Sequence, residues 1–178
     1  MTINLSGSLA ALAFLAILPA GAPAESAHPE RECRVRFFHT RTGERLDIVY
    51  RIGGRYLPDA LAKLNYYLRD SFSQNVHAYA PEVFDLLHDL TAAVGAPNAE
   101  INVICGYRTP QTNKFLRART SGVALRSLHM EAKAIDIRLP GISTAKLRDA
   151  ALALHRGGVG YYAQSSFVHV DVGPIRRW

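Results

Sequence analysis

Four residues in two short stretches have the types and spacing for hydrolytic chemistry. In RSLHMEAKAIDIRLPG, residues 126–141, His129 and Asp136 stand seven positions apart, and the run from Ala134 alternates like a strand. In FVHVDVG, His169 and Asp171 stand two apart, so an extended chain shows both on one face and gives Val168, Val170 and Val172 to the other. A carboxylate set among Ile135, Ile137 and Leu139 needs a partner or an ion if it is buried. His129, Asp136 and His169 make three ligands, and Asp171 is a spare carboxylate. Catalytic zinc takes three such donors at roughly 2.0–2.2 Å and keeps a fourth position for water. There it lowers the pKa of water to about 7 and polarises a carbonyl, while a nearby carboxylate moves the proton to a leaving amine. Either histidine read alone is an ordinary satisfied polar residue, so the combination carries the expectation.

Several elements must hold these residues. Residues 33–57 alternate and break at Thr42-Gly43, which predicts a hairpin. Leu61, Leu64 and Leu68 after Pro58-Asp59 mark a short amphipathic helix. A longer helix opens at Pro81, repeats Val83, Leu87, Leu90 and Val94, and stops at Gly95. INVICGYRTP reads as a strand and turn, with a helix from Pro110 through Leu116, and GVALRSLH reads as a loop. The strand bearing Asp136 closes at Pro140-Gly141. A helix capped by Ser143 or Thr144 runs to Gly157-Gly158, and VGYY and FVHVDVG form a last hairpin joined by AQSS. Strands and helices mix without regular βαβ alternation. The expected class is therefore α+β: one domain, a mainly antiparallel sheet with flanking helices, and the site in a groove on the sheet.

The chain has 178 residues, and its first 24 carry no charged side chain. Leu9–Leu18 is apolar and Ala22 and Ala24 occupy the small positions of a cleavage site, so 1–24 reads as a secretory signal peptide, 25–32 as a linker and 33–178 as the domain. The apolar run is too short to span a bilayer well, so no stable membrane span remains once the signal is removed. The formal charge of +6 belongs to the exported part and suits an anionic envelope polymer, although a basic surface also serves solubility alone. No block of like charge resembles a nucleic-acid arm, and an exported protein meets little nucleic acid. Cys33 and Cys105 are the only cysteines; an oxidising compartment permits their pairing, and a buried free thiol is the ordinary alternative.

GYRTPQTNKFLR, SLHMEAKAIDIRLPG and GGVGYYAQSSFVHVDVGPIRRW together resemble the zinc D,D-peptidase superfamily of lysostaphin-like, D-alanyl-D-alanine and hedgehog-type domains, nearest its exported murein endopeptidase K branch. The resemblance covers about residues 33–178. It implies that His129, Asp136 and His169 bind one Zn2+, that peptidoglycan stem peptides or cross-links are the substrate, and that Arg108 contacts a substrate carboxylate or the polarised carbonyl. Three positions depart from the wider pattern. Ala132 stands where glycine is usual, Ser166 and Phe167 occupy the places where relatives carry a base, and Cys105 replaces a small polar residue. Geometry then favours Asp171 as base, with Glu131 second. Of Tyr161 and Tyr162, alternation sends one to the groove and the other to the core.

The leading expectation is an exported, periplasmic or envelope zinc metallopeptidase, a murein endopeptidase acting by zinc-activated water. The alternatives are a D,D-carboxypeptidase and a non-catalytic zinc-containing peptidoglycan-binding module, the latter favoured by the absent base positions. Binding of nucleic acid or acidic lipid would rest on charge alone. Which bond is cut, and the oligomeric state, lie beyond the sequence.

Overall fold

A computed structural model describes residue 1, residues 31–120 and residues 122–178. Apart from Met1, the expected signal peptide lies outside the described residues, as does the linker up to residue 30. Among the described residues no helix is long and apolar enough to cross a membrane.

The hairpin forms where the alternation predicts it: β1 (Glu32–His39) and β2 (Arg45–Ile52) pair antiparallel, from Phe38 opposite Arg45 to Glu32 opposite Ile52. Gly43 takes a φ of +74° in the turn, a conformation side chains resist. A second turn leads to β3 (Arg55–Tyr56). Helix α1 (Pro58–Tyr67) starts on a proline, whose missing N–H costs a first turn nothing. Helix α2 (Glu82–Ala93) follows Pro81 and ends before Gly95, at φ +79°. Then come β4 (Ile101–Cys105), α3 (Pro110–Arg117), a single 3-10 turn (Leu128–Glu131) that begins at the end of the expected loop, and β5 (Ala134–Arg138). The chain closes with α4 (Thr144–Ala153), capped by Ser143, then β6 (Gly158–Tyr162), β7 (Phe167–Asp171) and the unforeseen β8 (Arg176–Arg177).

All eight strands join one sheet in the order β3-β2-β1-β4-β5-β7-β6-β8. It is mainly antiparallel, as expected, but the β1–β4 and β6–β8 pairs are parallel. On one face Val35, Phe37, Ile101, Val103, Ile135, Ile137, Val168 and Val170 are buried. Against them pack α1, α2 and α4, with Leu64, Phe84, Leu87, Leu90 and Leu147 fully enclosed. Each such side chain contributes about 1.5–3 kcal/mol by leaving water. That apolar layer frees the opposite face of β5, β6 and β7 for polar residues.

Candidate metal centre

Register assembles the site. Asp136 on β5 stands opposite His169 on β7, and His169 stands opposite Gly160 on β6. On its other side Asp136 is opposite Cys105 of β4. Cys105 shares the parity of Ile101 and Val103, so a regular strand would bury it in the apolar core. The register shifts between Val103 and Cys105: Val103 pairs with Ile137, Cys105 with Asp136. This irregularity re-aims Cys105 to the polar face, a known use of such bulges. Its sulfur lies within 4.8 Å of donor atoms of His129 and Asp136. Burial pushes its thiol up to about 12.

His129 comes from the 3-10 turn rather than a strand, and it is buried. Its Nδ1 donates to the Gly106 carbonyl at 2.7 Å, which leaves an Nε2 lone pair facing inward. Gly106 has no room for a side chain, because a Cβ would sit 2.7 Å from the Leu68 carbonyl oxygen. Ala132 ends the turn at φ +51°, a left-handed conformation in which glycine is easier, and its backbone oxygen accepts from Ala80.

His169 is fixed in the complementary way. Its Nε2 donates to Asp171 Oδ2 at 3.0 Å, so Nδ1 carries the inward lone pair. The three atoms His129 Nε2, His169 Nδ1 and Asp136 Oδ1 then stand 3.1, 2.8 and 3.2 Å apart around the triangle. Donors about 2.1 Å from a tetrahedral ion would stand about 3.4 Å apart, close to these separations. Three lone pairs aimed at one point repel unless a cation lies among them, so the donor set fits a metal ion. The electrostatics agree. Burial alone would raise the Asp136 carboxyl, but the charge and hydrogen bonds of the two histidines hold it well below the usual range. Burial lowers His129; it also opposes charge on His169, where Asp136 and Asp171 outweigh it and raise the ring.

Asp171 sits elsewhere than the sequence suggested. It is fully buried behind His169, and both its oxygens are engaged. Oδ1 accepts from the N–H groups of Gly158 and Gly173 at 2.9 Å, and Oδ2 from His169 and from Arg176 at 2.7 Å. Burial opposes its charge, yet these donors keep the carboxyl strongly lowered. A free general base needs an open oxygen facing substrate, and Asp171 has none to offer. Glu131 is exposed and paired with Lys133 at 2.9 Å, outside the groove lining.

A groove of about 470 Å³ opens over the donor triangle. Arg108 lines it, its backbone N–H bonded to the His129 carbonyl and its Nη2 to Ser127 Oγ at 3.1 Å. Tyr162 is the groove-facing tyrosine and stacks on Phe167 at 4.4 Å, while Tyr161 meets Arg148 of α4. The sequence reading missed Trp178 and Arg126. Trp178 pairs its backbone with β6 and sets its indole 5.2 Å from His169, over Gly160, where any Cβ would clash at 2.6 Å. The glycine at position 160, opposite His169, was the available signal.

Residues 25–178 match the family described as peptidoglycan L,D-endopeptidase MepK. The chain belongs to the MepK family. It is 42% identical over 142 residues to a probable peptidoglycan L,D-endopeptidase MepK of Haemophilus influenzae, covering 80% of this chain and 76% of that one. It is 39% identical over 163 residues to the peptidoglycan L,D-endopeptidase MepK of Escherichia coli strain K12, covering 92% and 88%, and the Shigella flexneri MepK aligns with the same figures. MepK membership places the chain among peptidases and agrees with a metal-fitting donor set.

Proposed function

We propose that the protein is an exported zinc endopeptidase that cuts an amide bond of peptidoglycan stem peptides or cross-links. One observation carries this reading: in a chain of the MepK family, three lone pairs with tautomers set from behind converge beneath a groove. His129, Asp136 and His169 would hold the ion. Zinc in such a site supplies Lewis acidity, polarising a carbonyl and making water a competent nucleophile near pH 7.

The protein's own groups do the remaining work. The Gly106 carbonyl and the Asp171 carboxylate orient the two imidazoles, so Asp171 acts as a positioning residue through His169. Arg108 supplies a fixed cation beside the reacting carbonyl, where charge develops. Tyr162, Phe167 and Trp178 offer apolar surface that aligns the peptide and excludes water. Asp136 is the one acidic residue of the described groove lining, and it belongs to the donor triangle. The groove thus carries no second carboxylate as base, which keeps the non-catalytic binding module as the reading to test against.

The test measures zinc per chain, then release of soluble peptides from purified peptidoglycan with and without a chelator. One zinc, chelator-sensitive release and loss of both in His129→Ala are expected. Stoichiometric zinc without release from any cross-link would leave a binding module, and absence of zinc would overturn the ligand set.

A further inference from the structure

Away from the groove, two phenyl rings stand side by side on the surface. Phe72, in the turn after α1, and Phe115, on α3, are 46% and 44% exposed, and their ring centres lie 5.9 Å apart. An arginine covers each ring: the Arg41 guanidinium lies 4.3 Å over Phe72, and that of Arg119 lies 3.7 Å over Phe115. The result is one row, Arg41, Phe72, Phe115 and Arg119, with cations at its ends and apolar rings at its centre. None of these residues lines the groove.

Carboxylates are missing around the row. Residues 101–130 contain no Asp or Glu, while Arg108, Lys114, Arg117, Arg119 and Arg126 are basic, and Lys114 and Arg117 are exposed on the same helix as Phe115. In the other segments that build the row, Glu44 is held by Arg69 at 3.0 Å and Asp70 is fully buried. Arg41, Lys114, Arg117 and Arg119 form no ion pair among the described residues.

Neighbouring phenyl groups left in water are an apolar patch that favours a cover, and cations without counter-charges favour an anionic one. A second copy of this chain is a poor cover, because a twofold contact sets these cations against themselves. An anionic lipid surface suits both halves of the row, since headgroup phosphates pair with arginines and the acyl boundary takes the rings. We propose that this face docks the protein on an anionic lipid surface, with the arginines at the phosphates and the phenyl edges entering the acyl boundary. The contact is peripheral, and it does not depend on the peptidase reading. In the sequence, acidic lipid rests on charge alone; the exposed phenyl pair is what the fold adds.

Co-sedimentation of the full chain with vesicles tests this, using phosphatidylglycerol and phosphatidylcholine in equal parts against phosphatidylcholine alone. The apolar run Leu9–Leu18 is common to every variant, so its contribution cancels when variants are compared. Wild type is expected to bind the anionic vesicles about a hundredfold more tightly than the neutral ones, with the difference shrinking as salt rises. Arg41→Gln with Arg119→Gln should weaken anionic binding about 25-fold, which is about fivefold for each cation removed. Phe72→Ser with Phe115→Ser keeps every charge and should weaken it about tenfold. Circular dichroism checks the fold of each pair, and a pair that misfolds leaves the other to decide. Equal binding of wild type to both vesicle types, or anionic binding that survives either pair in a folded variant, overturns the inference. So does loss of binding to purified peptidoglycan in these variants with vesicle binding unchanged, which would give the row to the wall polymer.

Discussion

His169 shows how much a single residue owes to its neighbours. Its ring has two nitrogens, and only the partner behind Nε2 decides that Nδ1 is free to face Asp136 and His129. That partner, Asp171, is held by two backbone N–H groups and by Arg176, so it cannot turn away. Replacing Asp171 with Asn halves the acceptor capacity and removes the charge that favours a cation at His169. We expect Asp171→Asn to weaken zinc binding by about 10–100-fold, measured by competition with a chelator. A base acting on substrate would instead leave zinc affinity unchanged and lower only turnover, so the same titration separates the two roles.

At the scale of elements, the site depends on how the β4–α3 connection is pinned. Thr109 caps α3, its hydroxyl accepting from the Thr112 N–H, and it also donates to Asp70 at 2.9 Å. Asp70 is fully buried; Oδ2 takes the Thr109 N–H at 2.7 Å and Oδ1 the Phe72 N–H at 2.8 Å. One carboxylate thus ties the segment after α1 to the residue following Arg108. Burial opposes its charge, but the Thr112, Thr109 and Phe72 donors outweigh it and lower the carboxyl below its ordinary value. A lowered folded-state pKa means stability that is fully present above the unfolded value near about 3.9 and is lost as pH falls through the folded one. Asp70→Asn should therefore cost about 1–3 kcal/mol at pH 7, and its deficit against wild type should shrink as pH drops below about 4. Urea unfolding of both proteins across that range checks it; a deficit independent of pH would remove the charge from the explanation.

Across the whole molecule, sheet order decides the fate of the cysteines. Phe37 lies beside Ile101 in the parallel β1–β4 pair, so Cys33 and Cys105 point to opposite ends of the two strands. Their separation along the sheet is about 25 Å, far beyond the roughly 4.4–6.8 Å between Cα atoms that a disulfide spans. Both are free, Cys33 buried beneath Arg51 and Cys105 beside the donor triangle. Thiol titration of the denatured, unreduced protein should find two thiols per chain, and a value near zero would contradict the sheet order. The same global view places part of the positive charge: Arg108, Arg126 and Arg176 all line the groove.

Local order was legible from the chain itself. Alternation marked the strands of Asp136 and His169, helical spacing marked α2, and Gly43 and Gly95 marked where elements end, because periodicity and backbone freedom are properties of neighbouring residues. His129, Asp136 and His169 stood out by type and spacing and Arg108 by the family resemblance, and the tertiary structure brings all four to one groove. What spacing could not reveal were relations between segments far apart in sequence. The parallel β1–β4 pair, the bulge that turns Cys105 from core to groove, the enclosure of Asp171 behind His169, and the stacking of Trp178 over Gly160 each depend on which strand lies next to which. That choice is made by the burial of the whole apolar face at once, so it becomes visible only when the sheet has closed.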